Sequence, residues 1–247
     1  IWKQDLGLLD SGYYKVPAAQ WGFGSSPILF QDTVILQCDV QQGSYLAAFS
    51  LEDGRQLWGI GRDDVPTWST PTLWRHGEQV QLVVAGYRHS GGYDPATGRE
   101  IWKLTGGGDI PVCTPIVSGD LVILSSAHGP SRPLRAVRFA ATGDITPKST
   151  TGSTEHIAWS LPRDGIYMQT PILVDGLLYA CRMNGVLSCY EPKTGERIYR
   201  ERVGGGVGFT ASPVAGDGKL YFASEDGQVH VVATGKTYKH LATNPLG

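Results

Sequence analysis

The residues able to do chemistry in this chain of 247 are few and scattered. Its four cysteines stand at 38, 113, 181 and 189, with no C-x-x-C pair and no two adjacent, which is not the spacing of a metal site. Cys181 and Cys189 flank an Asn184-Gly185 dipeptide. A two-residue hairpin loop there would set 183 opposite 186 and 181 opposite 188, so the two thiols would point to opposite faces of the sheet. No disulfide is expected between them, and all four cysteines read as buried free thiols. The histidines at 76, 89, 128, 156, 230 and 240 form no i,i+4 pair and no His-x-His, whereas zinc needs three or four converging ligands. His89 and His128, in corresponding inner loops, are the nearest thing to a metal pair, both facing an axial channel; solvated loop residues are the simpler reading. Asp39, Asp94, Asp175 and Asp217 fall in turns, where aspartate caps backbone N–H groups. Gly106-Gly107-Gly108 and Gly204-Gly205-Gly206 invite a phosphate, but neither run opens a helix, so no helix-terminus anion site is available. No G-x-S-x-G elbow and no acyl-transfer triad can be assembled.

The elements that would hold these groups follow from a repeat. A small residue or Thr, then Pro, then an apolar run recurs at Ser26-Pro27, Thr70-Pro71, Thr114-Pro115, Thr170-Pro171 and Ser212-Pro213, with the prolines 44, 44, 56 and 42 residues apart. Proline has no N–H to donate, so it sits where the strand ladder has not begun. A polar turn with glycine then leads to an aromatic residue: Asp53-Gly54 before Trp58, Thr97-Gly98 before Trp102, Thr194-Gly195 before Tyr199. Thr142-Gly143 stands before Trp159 across a polar insertion, Thr146 to Glu155. Two short apolar stretches lie between the landmarks, joined in the last two copies by Asn184-Gly185 and Asp226-Gly227, which are hairpin signals.

Four short strands per period of about 40–45 residues is the pattern of a β-propeller. The expected fold is all-β, with four-stranded antiparallel blades at approximately 25–60, 68–104, 113–161, 169–201 and 210–241. Ile1-Trp2-Lys3 reads as the outer strand of a preceding blade. That makes five to six blades in one domain spanning 1–247, part of a seven- or eight-bladed ring. Trp58, Trp102 and Trp159, with Gly54, Gly98 and Gly195, are read as structural blade-docking residues. Trp21, Phe23, Trp68 and Tyr167 fall in the loops between blades at one end, where large apolar groups would form an interaction rim.

The run Tyr93-Asp94-Pro95-x-Thr97-Gly98-x-Glu100-Ile101-Trp102 resembles the blade motif of the PQQ-like repeat family, which includes quinoprotein dehydrogenases and BamB-like proteins. The resemblance extends over nearly the whole chain. It is partial in the first copy, where Ser50 and Asp53 replace Asp and Thr, and shortened in the fifth, Ala233-Thr234-Gly235-Lys236. It implies one of two things. One is a non-catalytic scaffold of the bacterial envelope, periplasmic or extracellular, holding another protein and no cofactor. The other is a dehydrogenase fragment binding PQQ with calcium. Such a dehydrogenase carries two adjacent cysteines over the cofactor, and no Cys-Cys dipeptide occurs here. A carbohydrate-binding or sensor propeller is a third reading, suggested by the aromatic rim.

Composition narrows the field further. The net charge is −2 and the basic residues are scattered, which gives no footprint for nucleic acid or for anionic lipid. No apolar run approaches the roughly 18 residues of a spanning helix, so no membrane span is expected. Ile1 opens the sequence with no signal-peptide pattern. The expectation is a protein-binding scaffold with no catalytic, cofactor or metal residues.

Overall fold

Every regular element of the computed structural model, which describes residues 1–16, 18–149 and 151–247, is a β-strand. The first blade is β1 (Ile28–Phe30), β2 (Thr33–Cys38), β3 (Tyr45–Ser50) and β4 (Gln56–Gly61), and the second is β5 (Thr72–His76), β6 (Gln79–Val84), β7 (Ser90–Tyr93) and β8 (Glu100–Leu104). The third opens with β9 (Ile116–Ser118), β10 (Leu121–Ser125) and β11 (Leu134–Arg138). Then β12 (Gly143–Asp144) leaves it, and β13 (Ile157–Leu161) closes it. The fourth is β14 (Ile172–Val174), β15 (Leu177–Cys181), β16 (Val186–Tyr190) and β17 (Arg197–Arg202); the fifth is β18 (Val214–Gly216), β19 (Lys219–Ala223), β20 (Gln228–Ala233) and β21 (His240–Pro245). Each blade is an antiparallel meander in chain order, and together they make part of a β-propeller.

The central strands read as unbroken apolar runs because both of their faces are buried. In β6, Leu82 and Val84 point to the first blade while Val83 points to the third. In β15, Leu178 and Ala180 face the third blade; Leu177, Tyr179 and Cys181 face the fifth. One apolar cluster fills each of the four blade interfaces. Burying one such Leu, Val or Phe stabilises by about 1.5–3 kcal/mol, so a blade is stable only beside a neighbour.

The landmarks of the repeat have distinct mechanical roles. The Thr or Ser before each proline ties inner strand to inner strand: Ser26 N–H donates to Thr70 Oγ1 at 3.0 Å, Thr114 N–H to Thr170 Oγ1 at 3.1 Å, and Thr170 N–H to Ser212 Oγ at 2.9 Å. The closing indoles reach across to the next turn. Trp58 Nε1 donates to the Pro95 carbonyl at 3.2 Å and Trp159 Nε1 to the Pro192 carbonyl at 2.9 Å. Each acceptor lies three residues before the motif glycine. Gly98 and Gly195 have φ of +74° and +72°, and a Cβ on either would come within 2.7 and 2.6 Å of the preceding blade's indole. Glycine is required there twice over, for its backbone and for its bare face.

Several expectations need correction. Residues 1–3 form no strand, yet Trp2 takes the docking position: its Nε1 donates to the Leu51 carbonyl at 2.8 Å and its ring lies over Gly54. Trp102 is buried between the second and third blades but does not meet a motif glycine; it lies against Gly92 in its own blade and donates to Gln81 Oε1 at 2.9 Å. The cause is the third copy's turn. Gly143 and Asp144 pair in parallel with Trp102 and Lys103, so the second sheet has five strands and Gly143 faces open space. At the fourth-to-fifth junction, Tyr199 replaces Trp, and its buried hydroxyl has no hydrogen-bond partner among the described residues.

The β15–β16 hairpin also departs from expectation. Cys181 is opposite Leu187 and Tyr179 opposite Cys189, one register step from the two-residue-loop prediction. Arg182 N–H donates to Val186 O and Gly185 adopts φ +77°, a three-residue loop with glycine in the left-handed position. Both thiols therefore point to the same face, in the cluster shared with the fifth blade, and they are unbonded. Cys38, Cys113, Cys181 and Cys189 are all buried and free.

Candidate functional site

The loops after β2, β4, β6, β8, β10 and β13 emerge at one end of the blades, and residues 10–16 and 18–24 lie against them. This segment is held by the Gly12–Gln20 bridge and by main-chain bonds from Trp21 N–H to Ser11 O and from Gln41 N–H to Asp10 O. Its rings join those of the loops into a chain. Trp68 lies 5.4 Å from Trp21, Trp21 stacks on Tyr13 at 5.9 Å, and Tyr13 meets His128 edge-on at 5.8 Å. His128 lies 5.2 Å from Tyr167. Tyr13 also meets Tyr14 at 5.4 Å, and Tyr14 meets Tyr87 at 5.2 Å. Of the four rim residues read from the sequence, Trp21, Trp68 and Tyr167 join this chain. Phe23 is half-buried and belongs to no ring pair among the described residues. Trp21 stays 54 % exposed. Trp68 Nε1 donates to Gly22 O at 2.8 Å and its ring fills the space over Gly24.

Asp109 anchors the arrangement from below. Its side chain is 5 % exposed and accepts three hydrogen bonds: from Tyr13 Oη at 3.1 Å, Lys15 Nζ at 2.9 Å and His128 Nδ1 at 2.5 Å. Burial alone would raise its carboxyl; the donors from His128, Lys15 and Tyr13 hold it below the ordinary value. His128 has φ of +98°, a conformation that costs a non-glycine residue of order 1–3 kcal/mol and persists only where the surroundings impose it. Sequence reasoning missed Asp109, Tyr13 and Tyr14. Tyr13 and Tyr14 stand before the first landmark, Ser26-Pro27, outside the repeat, and nothing local pairs Asp109 with a histidine 19 residues away. The described residues of the insertion Thr146 to Glu155 contribute none of these ring contacts; Thr146 bonds Thr105 beside β8.

A second polar cluster lies between the first two blades. Arg62 donates to Asp39 Oδ1 at 2.8 Å, to Asp64 Oδ2 at 2.9 Å and to the Tyr93 hydroxyl at 2.7 Å, with all three charged side chains at most 1 % exposed. Asp39 also accepts from Gln37 and Thr67, so it is a buried ion-pair partner and not the solvated turn residue expected. Burial and the Asp39 charge push Asp64 up to about 6, against the pull of Arg62. His89 Nε2 lies 3.1 Å from both Tyr93 Oη and Glu100 Oε2, and burial with the Arg62 charge lowers its pKa. His89 and His128 thus belong to separate clusters and share no ligand. The turn reading holds for Asp94, which caps Ala96 N–H at 2.8 Å; Asp175 and Asp217 stand in turns at positive φ.

A PQQ–calcium site does not fit the donors described. No three His, Cys, Asp or Glu residues among the described residues converge as metal ligands, and the two closely placed buried carboxylates, Asp39 and Asp64, are occupied by Arg62. The glycine runs are connectors: Gly108 packs on the Ala127 backbone and donates to Ser126 Oγ at 2.9 Å. No helix among the described residues is long and apolar enough to cross a membrane.

Four-stranded meanders stitched by Thr/Ser-Pro starts and clamped by indole on glycine define a repeat β-propeller with an aromatic loop face. A family model described as "Outer membrane protein assembly factor BamB" matches residues 42–170, just over half of the chain, and the chain belongs to this PQQ-like repeat family. No curated protein sequence matches it significantly. BamB from Moraxella catarrhalis superposes with a TM-score of 0.58 at 16 % identity, over 86 % of this chain and 58 % of that one. Quinohemoprotein alcohol dehydrogenase from Comamonas testosteroni superposes at 0.65 and 12 % identity, over 96 % of this chain and 44 % of the enzyme. A europium-containing methanol dehydrogenase gives 0.64 at 11 % identity, over 91 % and 51 %. The chain spans about half the length of these structures, and identities this low establish the fold they share.

Proposed function

We propose that this chain is a non-catalytic interaction platform of the bacterial envelope, binding another protein through its aromatic loop face and needing no cofactor. The observation that carries this reading is the ring chain from Trp68 through Trp21, Tyr13 and His128 to Tyr167, pinned to buried Asp109 with Trp21 left exposed. Rigid, partly exposed Trp and Tyr side chains lose little entropy on contact and dominate interface energetics. Loops on a rigid frame are where a propeller carries its binding. The envelope setting rests on the family, whose model is that of an outer-membrane assembly factor. The fold shared with quinoprotein dehydrogenases supports the competing reading, and the donor set described above weighs against it.

Two measurements test the proposal. Titration with PQQ and calcium, followed by tryptophan fluorescence, should show no saturable quenching; saturable binding at micromolar or tighter affinity overturns the platform reading. Trp21→Ala should leave the thermal midpoint unchanged and abolish cross-linking to the envelope protein captured by the parent chain. Undiminished cross-linking would place the interface elsewhere.

A further inference from the structure

On the same face, between the third and fourth blades, a cleft of about 260 Å³ opens beside His128. Its volume is below the roughly 300–1,000 Å³ of sites for drug-sized ligands, so an occupant must be small. The walls combine two kinds of group. Tyr167 and Met183 are apolar surfaces, and Met183 is 38 % exposed. Arg132 and Arg182 bring positive charge, and no lining residue is acidic. Arg132 is exposed, and its guanidinium has no partner among the described residues. Arg182 is bound to the carbonyl of Arg163 and to Asp164 at 3.0 Å, but Asp164 already answers Arg200 at 2.6 Å and Arg197 at 3.6 Å. Three guanidiniums on one carboxylate leave an excess of positive charge behind the cleft. His128 is fixed by its Nδ1 bond to Asp109, and its Nε2 has no partner among the described residues.

We propose that this cleft binds a small organic carboxylate with a flat apolar body. The carboxylate pairs with Arg132 and with the free edge of Arg182, since guanidinium matches carboxylate geometry with two parallel donors. The body lies between the Tyr167 ring and the Met183 thioether, a contact favourable to planar groups. His128 Nε2 closes the polar end. The positive φ at His128 accompanies a ring held between Tyr13 and Tyr167, and its side chain stays 37 % exposed at the cleft.

Benzoate is the probe, titrated into the full chain by calorimetry, with benzamide and inorganic phosphate alongside. Benzoate should bind saturably, and benzamide, its neutral isostere, about tenfold more weakly because it lacks the charge. Arg132→Gln should weaken benzoate about tenfold without moving the thermal midpoint, since its side chain is exposed and unpartnered. Absence of saturable benzoate binding overturns the proposal, as does equal affinity for benzamide or an unchanged affinity in Arg132→Gln. Phosphate binding as tightly as benzoate overturns the apolar half of the site. Trp21→Ala lies outside the cleft and should bind benzoate normally, so failure here and failure of the platform reading are separable.

Discussion

Gly195→Ala tests the indole-on-glycine clamp quantitatively. Gly195 has φ of +72°, and an added Cβ would sit 2.6 Å from the Trp159 ring. Two costs should combine. An L-residue in the left-handed region loses about 1–2 kcal/mol, and forcing a methyl group into a packed ring costs about 1–3 kcal/mol more. Gly143 is the internal control: its φ is +71°, but no atom lies within 4 Å of its added Cβ. Gly143→Ala should lose only the backbone part, about 1–2 kcal/mol. Trp159→Ala removes a ring that is 5 % exposed and hydrogen-bonded to Pro192, at a cost of about 3–5 kcal/mol. In that background the steric part of Gly195→Ala should vanish, giving an interaction energy of about 1–3 kcal/mol between the two positions. Urea unfolding followed by far-UV circular dichroism measures the parent chain and all four variants without relying on the tryptophan that is removed. Equal losses for Gly195→Ala and Gly143→Ala would refute the clamp, as would additivity within about 0.5 kcal/mol in the Trp159 cycle.

Arg62→Met leaves Asp39 and Asp64 buried without their cation and should cost about 3–5 kcal/mol in the same urea assay; a loss under about 1 kcal/mol would show the cluster to be hydrated and unimportant. The pH dependence of Asp64 has a definite sign. Its folded value, about 6, lies above the ordinary 3.8, so the folded state holds a proton that the unfolded state releases. Stability should therefore fall as pH rises from about 4 to 6, by up to about 3 kcal/mol for a shift of this size. Asp64→Asn should lack that slope whatever its constant offset, and parallel stability profiles for the two proteins would refute the assignment. Asp109 and Asp164, whose values are lowered, act in the opposite sense, stabilising above the carboxylate range and losing effect as pH falls.

By itself the sequence determined the blade. Short apolar runs, turn glycines and proline-started strands are local features of the chain, and repetition made them legible from Ser26 to the fifth copy. Trp58 and Trp159 were readable as docking residues because each closes a copy of the repeat, although the glycine each covers, Gly98 or Gly195, belongs to the next blade's turn. Only the tertiary structure decided what meets what. The third copy's turn joined the second blade's sheet, which took Gly143 away from Trp102, a choice made by edge pairing that no local pattern encodes. Asn184-Gly185 announced a hairpin but not its loop length, and one residue of register reversed which face the cysteines share. The Asp109–His128 and Asp39–Arg62 pairs arise from loops that blade stacking brings together. Such groups have no periodicity to betray them. Their burial is set by the neighbouring blade, so the aromatic face and its cleft exist only once the blades are stacked.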